Sequence, residues 1–255
     1  MNKITFFLSV LFFLGLQFSS CKSVNYLSNV DANRIDVSEK NNLVPDAAIS
    51  ALIAPYKAEL DKVMNEVLGQ TEIDLKKGRP ESTLGNWMAD AIHRKAAKKL
   101  GEPIDFAIQN YGGIRIPVIK KGPITRGKIF ELMPFDNKII VLYLNKAEVE
   151  QLIQHLVDAN GWPVSHGIKI NRLSEEDISV LIKDKPLQEG KIYKVALPDY
   201  VANGGSDSSF LKDKQRKNLE YYIRDALIQD VLDFTAKKEA INSPKEGRFI
   251  LSANK

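Results

Sequence analysis

Two glycine loops constrain this chain more than any other feature. Residues 109–115 have the sequence QNYGGIR, residues 197–205 have the sequence LPDYVANGG, and each loop follows a strand-like apolar run. Paired glycines let the backbone adopt positive φ and come close to a bound molecule, which residues with a Cβ resist. One Gly-Gly pair after a strand is usually only a turn. Two such loops in one domain, each beside side chains that can touch a ligand, suggest two walls of one pocket.

The N-terminus predicts an exported, lipid-anchored protein. Lys3 precedes an uncharged, mostly apolar stretch over residues 4–18, which is short for a membrane span. Small residues then precede Cys21, the only cysteine in the sequence, as in a lipobox. We therefore expect a lipoprotein signal peptide over residues 1–20, lipidation of Cys21 and a lipid-anchored location in the cell envelope, as an outer-membrane or periplasm-facing lipoprotein. An ordinary secretory signal with an unrelated cysteine is the alternative.

Composition divides the rest of the chain into a stalk and one domain. Residues 21–43 are rich in Ser, Asn, Asp and Lys, so we predict a flexible lipidated stalk. Residues 44–255 are long enough for one domain with a sizeable core. The formal net charge of +4 is too small to imply a nucleic-acid partner, and no stripe of basic and aromatic residues supports one.

Hydrophobic periodicity predicts helices and strands without a regular βαβ repeat. The expected fold class is therefore α+β, or mixed α/β, with a mixed sheet flanked by helices. Helices are predicted over residues 45–68, 82–100, 146–157 and 218–234, and a short strand with a helical turn over 124–132. Strands are predicted over residues 71–75, 104–108, 139–144, 168–172, 178–182, 192–197 and 248–251. Ser82 can cap the second helix, and Gly101 can end it.

Four motifs, in this order, resemble the C-terminal, substrate-binding domain of bacterial and animal 5′-nucleotidases. They are RPESTLGNWMADA at residues 79–91, NYGGIR at 110–115, GPIT and MPFDN within 122–137, and the second glycine loop at 200–205. The resemblance extends from about residue 51 to the C-terminus. It implies that this domain holds a nucleoside, while a separate N-terminal metallophosphatase domain hydrolyses the phosphate ester.

The resemblance also implies a role for individual side chains. Phe135 and Tyr200 would sandwich the base, with Tyr in place of the usual Phe, and Asn137 would hydrogen-bond to the base edge. Asn110 and Arg115 would contact ribose and phosphate. Stacking of a base on an aromatic ring is worth ~1–3 kcal/mol. The other substrate-binding positions that the motifs imply are Arg79, as a second cation near the phosphate, and Gly112, Gly113, Asn203, Gly205 and Asp207.

The second loop departs from the family pattern. The family continues Gly-Gly-Asp, with the carboxylate on the ribose hydroxyls, whereas here Ser206 follows Gly205 and Asp207 comes one position late. Either Asp207 reaches the same place, which we expect, or ribose recognition is weakened.

Each of these side chains also has an ordinary structural role as an alternative. Phe135 could belong to the core, Arg79 and Arg115 could be solvated surface charges, and Asn110 could serve only as a turn residue. Their positions beside the glycine loops favour the binding roles.

The motifs of a dimetal phosphatase are missing from the sequence. Such an enzyme holds two metal ions with a cluster of His, Asp and Asn ligands, and the family carries them in Asp-x-His and Gly-Asn-His-Glu motifs. The histidines here are His93, His155 and His166, in neither motif, and Asp90 three residues before His93 is a weak ligand pair. We therefore expect no catalytic residue, metal site or cofactor in this chain, with divalent metals bound by a partner phosphatase.

Three functions fit these observations. The first is the recognition part of a 5′-nucleotidase, which binds a nucleoside monophosphate or nucleoside and supplies the substrate pocket to a separately encoded metallophosphatase. The second is a non-catalytic nucleoside- or nucleotide-binding lipoprotein for uptake or sensing. The third is a decayed family member that keeps only protein contacts. In all three, the membrane is reached only through the lipid anchor, and catalysis by the chain alone is not expected.

Overall fold

The computed structural model describes residues 29, 31–33, 44–174 and 177–251. The chain divides into two units, residues 1–50 and 51–255. The predicted signal peptide, Cys21 and nearly all of the predicted stalk lie outside the described residues. In the part of the chain that is described, no helix combines the length and apolarity that crossing a bilayer requires.

The described residues form six α-helices and twelve β-strands. The helices are α1 (Ala47–Met64), α2 (Thr83–Leu100), α3 (Arg126–Leu132), α4 (Lys146–Asp158), α5 (Asp199–Ala202) and α6 (Ile223–Ala236). The strands are β1 (Val67–Thr71), β2 (Leu75–Lys76), β3 (Phe106–Ala107), β4 (Val118–Ile119), β5 (Gly122–Thr125), β6 (Lys138–Leu144), β7 (Ile168–Arg172), β8 (Ile178–Ile182), β9 (Lys185–Pro186), β10 (Tyr193–Pro198), β11 (Arg216–Tyr222) and β12 (Phe249–Leu251).

The strands pair into mixed sheets, which confirms the predicted α+β class. One four-stranded sheet has the order β11-β6-β10-β3, with β3 parallel to β10 and the other pairs antiparallel. A second has the order β12-β7-β8-β9, with β12 parallel to β7. Two short antiparallel pairs, β1-β5 and β2-β4, complete the pairing among the described strands. In the first sheet, β10 ends at the second glycine loop and β3 lies just before the first, so two neighbouring parallel strands bring the loops together.

Helix α2 has the caps that the sequence predicts. The Ser82 hydroxyl accepts a hydrogen bond from the Gly85 backbone N–H at 3.1 Å, and Gly101 closes the helix with a left-handed φ of 77°. Leu84, Trp87, Met88, Ala91 and Ile92 are among the residues that the helix buries, and the Trp87 indole N–H donates to Asp230 of α6 at 3.1 Å. The helix is thereby fixed in the core directly after the segment that carries Arg79.

The predicted first helix is too long, and its apolar face is not inward. Residues 67–71 form β1 because they pair with β5, so the helix ends at Met64. The single strand predicted at 71–75 is wrong, because only its end residues, Thr71 in β1 and Leu75 in β2, lie in strands. None of the residues of α1 is buried. Helical spacing identifies an apolar face, but it does not show what covers that face.

The predicted last helix begins too early. Residues 216–222 form β11, which pairs with β6, and the helix starts only at Ile223. Strand β6 is buried over most of its length, so its backbone groups need a partner on each side. Its neighbour on the other side is β10. The adjacent Tyr221 and Tyr222 suit a strand better than a helix.

Candidate functional site

A cavity of about 390 Å³ opens between the two glycine loops and the segment that follows α3. Its lining residues are Asn110, Gly112, Gly113, Arg115, Phe135, Asn137, Tyr200 and Ser206. The fold thus brings together residues that lie up to 96 positions apart in the sequence. Asn110 of the first loop donates a hydrogen bond to Ser206 of the second at 3.3 Å. The expected pocket with two glycine-loop walls is present.

Two aromatic rings at this cavity are exposed. Phe135 is 40% exposed and Tyr200 is 50% exposed. The alternative that places Phe135 in the core is therefore wrong. Large apolar side chains that stay exposed at the wall of a cavity are typical of a surface that a ligand covers.

Backbone contacts hold the Tyr200 ring in place. Helix α5 begins directly after the buried Pro198 of β10, which fixes the position of the Tyr200 backbone. The loop then folds over the ring, because the Ser206 N–H donates to the Tyr200 hydroxyl at 3.3 Å and the Gly205 N–H donates to the Tyr200 carbonyl at 2.8 Å. A Cβ at position 205 would lie only 2.4 Å from Cζ of the ring. Gly205 therefore positions the wall of the cavity.

Asn110 connects the two loops. It is 3% exposed, its side-chain Nδ2 donates to the Ser206 hydroxyl at 3.3 Å, and its side-chain Oδ1 accepts from the Gln109 side-chain amide at 3.0 Å. A Cβ at Gly113 would lie 2.2 Å from that Gln109 nitrogen, so any other residue there would have to displace the Gln109 side chain. Asn110 is more than a turn residue, because its side chain forms a hydrogen bond with Ser206 on the opposite wall of the cavity.

Three cationic side chains surround the first loop. The Arg115 guanidinium lies 5.5 Å from the Phe135 ring centroid, and its Nη1 donates to the Gly112 carbonyl at 3.3 Å. The guanidinium of Arg79 lies 4.0 Å from the ring centroid of Tyr111. Lys77 was not identified from the sequence, yet its ammonium group lies 4.0 Å from the same centroid. Only its place two residues before Arg79 could have indicated it.

Within the described residues, none of these three cations forms an ion pair with a carboxylate. Lys77 donates to the Ile114 carbonyl at 2.7 Å, and no ion pair of Lys77, Arg79 or Arg115 is present there. Burial, followed by the charges of Arg115 and Arg79, lowers the pKa of the Lys77 ammonium below its ordinary value. An uncompensated cluster of this kind favours a bound anion such as a phosphate.

Asp207 and Arg79 line a second cavity of about 470 Å³ beside the first. The two cavities share Gly112 and Ser206. Ser206 lines both cavities, whereas Asp207 lines only the second and does not reach the Phe135–Tyr200 cavity. Both residues have left-handed backbones, with φ of 54° and 62°.

Asn203 does not line either of these cavities. Its side-chain oxygen accepts from Arg216 Nη1 at 3.0 Å, which ties the second glycine loop to strand β11. The structure therefore gives Asn203 a supporting position next to the predicted contact residues.

The histidines lie in separate environments. His93 is half-buried with Nε2 3.1 Å from the Ile104 carbonyl, and burial is the main cause that lowers its pKa. The His155 ring packs edge-on against Trp162, and His166 Nδ1 is 3.1 Å from a Glu246 oxygen. Among the described residues, no group of three or more His, Cys, Asp or Glu side chains could hold a metal ion.

Asp90 is occupied by a structural partner. Its two oxygens accept from Nη1 and Nη2 of Arg248 at 2.8 and 2.9 Å, and Arg248 is 4% exposed. The bidentate pair joins α2 to the start of β12. The weak ligand pair of Asp90 and His93 is thus better explained as part of the packing.

Comparison with known proteins gives one consistent match. The family model described as "5′-nucleotidase, C-terminal domain" matches residues 62–213. The 5′-nucleotidase of Mus musculus is 27% identical over 244 residues, which are 84% of this chain and 42% of that protein. The trifunctional nucleotide phosphoesterase protein YfkN of Bacillus subtilis is 32% identical over 215 residues, 76% of this chain and 14% of that protein.

The solved structures agree with the sequence matches. The crystal structure of the 5′-nucleotidase precursor from Thermus thermophilus superimposes with a TM-score of 0.68 at 28% identity, covering 81% of this chain and 43% of that one. The chain therefore spans less than half the length of each of these relatives.

Proposed function

Because the chain belongs to the family of 5′-nucleotidase C-terminal domains, we propose that the cavity between Phe135 and Tyr200 binds a nucleoside monophosphate. The base would lie between the two rings, the ribose beside Asn110 and Ser206, and the phosphate near Arg115. The relatives are described as 5′-nucleotidases and a nucleotide phosphoesterase, which supports a nucleotide as the ligand.

The pair of exposed rings carries this proposal. Phe135 and Tyr200 belong to different segments, and each is exposed at the cavity wall. Stacking on each ring would contribute ~1–3 kcal/mol and would tolerate different bases. Asn137 lines the same cavity and is half-buried, so its amide is available for the base edge.

The cations support a phosphorylated ligand over a free nucleoside. Arg115 lies at the cavity, and Arg79 lies in the adjoining one, without a carboxylate partner in the described part of the chain. The planar donors of arginine match the oxygens of a phosphate group.

Hydrolysis is proposed to need a separate dimetal phosphatase. In that reaction, two metal ions would activate water and stabilise the leaving oxygen, and the described side chains of this chain do not fit such a site. The exposed face of α1 supports a protein partner, because an exposed apolar patch is typical of an interface. The patch consists of Leu52, Ile53, Tyr56, Leu60 and Val63, each at least 50% exposed.

The cellular location is also part of the proposal. Residues 1–20 would be removed as a lipoprotein signal peptide, and Cys21 would carry the acyl chains that anchor the protein in the cell envelope. Residues 21–43 would then act as the stalk of the nucleotide-binding domain. The support for this part is the sequence alone.

Calorimetric titration of AMP into the purified wild-type chain and the Phe135→Ala variant tests the binding site. Loss of one stacking wall should weaken AMP binding by at least ~1 kcal/mol, about fivefold in Kd. Tyr56→Ala is the matched control, because it removes an aromatic ring that is 73% exposed on α1 and lies outside the cavity. Equal AMP affinity in the wild-type and Phe135→Ala proteins would remove Phe135 from the site.

A further inference from the structure

Lys77 ties the segment before α2 to the first glycine loop. Its Nζ donates to the Ile114 carbonyl at 2.7 Å and lies 4.0 Å from the centroid of the Tyr111 ring. Lysine over a tyrosine face is a favourable cation–π contact. The side chain therefore holds both ends of the turn from Tyr111 to Ile114, whose Gly112 and Gly113 line the cavity.

The same ring also supports a second cation. The Arg79 guanidinium carbon lies 4.0 Å from the Tyr111 centroid, and Arg115 lies at the end of the same loop. The positive charges of Arg115 and Arg79 act on Lys77 in addition to its burial, and together they lower its pKa. Like charges held together without an ion-pair partner are unfavourable, and a bound anion would relieve that repulsion.

Given the proposed function, we propose that Lys77 makes the site selective for a phosphorylated nucleoside over the uncharged nucleoside. It does so by adding a third positive charge next to Arg79 and Arg115, held there by its contacts with the Ile114 carbonyl and the Tyr111 ring. Lys77 itself lines neither cavity, so its charge acts on the phosphate through space.

This role predicts different effects on the binding of AMP and of adenosine, which have the same base and ribose. The phosphate group of AMP carries close to two negative charges at neutral pH, whereas adenosine carries none. A change in the charge at position 77 should therefore alter AMP binding and leave adenosine binding nearly unchanged. A purely structural role of Lys77 would affect both ligands equally.

Calorimetric titration of AMP and of adenosine into the wild-type chain and the Lys77→Met variant tests this inference. AMP should bind about tenfold more weakly to the variant, while adenosine affinity should change by less than about twofold. Lys77→Arg keeps the charge and should keep most of the AMP affinity. Lys76→Met is the matched control, because it removes an exposed neighbouring lysine and should leave both affinities within about twofold.

A second variant keeps the test decisive if Lys77→Met does not fold. Tyr111→Leu removes the ring that supports Lys77 and Arg79, and it should also weaken AMP binding more than adenosine binding. Equal losses for both ligands, or unchanged AMP binding in Lys77→Met and Tyr111→Leu, would overturn the role of Lys77. A wild-type chain that binds neither ligand would instead overturn the proposed function.

Discussion

Gly205 determines the position of the Tyr200 ring at the cavity wall, because its side chain is only a hydrogen atom. A Cβ there would overlap the Tyr200 ring at 2.4 to 2.5 Å from three of its carbons. Distances this short cannot be accommodated unless the ring or the loop moves. The family motif therefore specifies the position of an aromatic ring through a residue that does not itself line the cavity.

Gly205→Ala should displace the Tyr200 ring and weaken AMP binding, with a loss of folding stability of ~1–3 kcal/mol from overpacking. Calorimetry gives the change in affinity, and urea unfolding gives the change in stability. Gly78→Ala is the matched control, because its Cβ would meet its nearest neighbour, Ser82 Cβ, at an ordinary 3.5 Å. Wild-type AMP affinity in Gly205→Ala would show that the ring position does not matter for binding.

The residues that line the cavity could be predicted from the sequence where they belong to a family motif. Phe135, Tyr200 and Asn110 lie in contiguous family motifs, so their common cavity could be anticipated from order and spacing. Lys77 and Ser206 could not be, because their importance arises from which ring or cavity the folded backbone turns them toward. Ser206 and Asp207 are two consecutive left-handed residues, and only Ser206 lines the Phe135–Tyr200 cavity.

At the level of elements, α1 and α2 have the same length but differ in burial. Each has 18 residues, yet α2 buries its apolar face and α1 buries none of its residues. Both have helical hydrophobic spacing in the sequence. Spacing predicts an amphipathic helix, whereas burial depends on what the rest of the fold brings against it. For the same reason, spacing alone does not separate β11 from the helix that follows it, because its partner β6 is distant in sequence.

The exposed face of α1 should contribute little to the stability of the chain alone. Leu60→Asp in α1, where Leu60 is 54% exposed, should change the free energy of unfolding by less than about 0.5 kcal/mol. Leu84→Ala in α2, at a fully buried position, should cost about 2–5 kcal/mol. Urea unfolding of both variants checks the contrast. A cost above about 2 kcal/mol for Leu60→Asp would show that this face is covered in solution.

For the whole molecule, acidification should weaken the fold through His93. Burial is the largest cause that lowers its pKa below the ordinary value of 6.5, and it outweighs the hydrogen bond to Ile104 and the charge of Asp90, which raise it. The unfolded chain then binds the proton more readily than the folded chain. This contribution to stability is therefore complete above pH 6.5 and is lost as the pH falls toward the lowered pKa.

The His93→Gln variant should lose less stability than the wild type on acidification. Glutamine does not titrate, and its amide can still donate to the Ile104 carbonyl that lies 3.1 Å from His93 Nε2. Urea unfolding at about pH 7.5 and about pH 5.5 measures the two slopes. Identical slopes in the two proteins would show that His93 does not contribute to the pH dependence.

The central claim is that this chain recognises a nucleotide and leaves the hydrolysis to a partner. Titration of AMP into the purified chain by calorimetry, with Mn²⁺ present and phosphate release measured in the same sample, tests it most directly. The account predicts a saturable binding heat that returns to baseline, with no phosphate released. Absence of binding heat would contradict the recognition role, and a sustained heat with phosphate release would show that the chain hydrolyses AMP by itself.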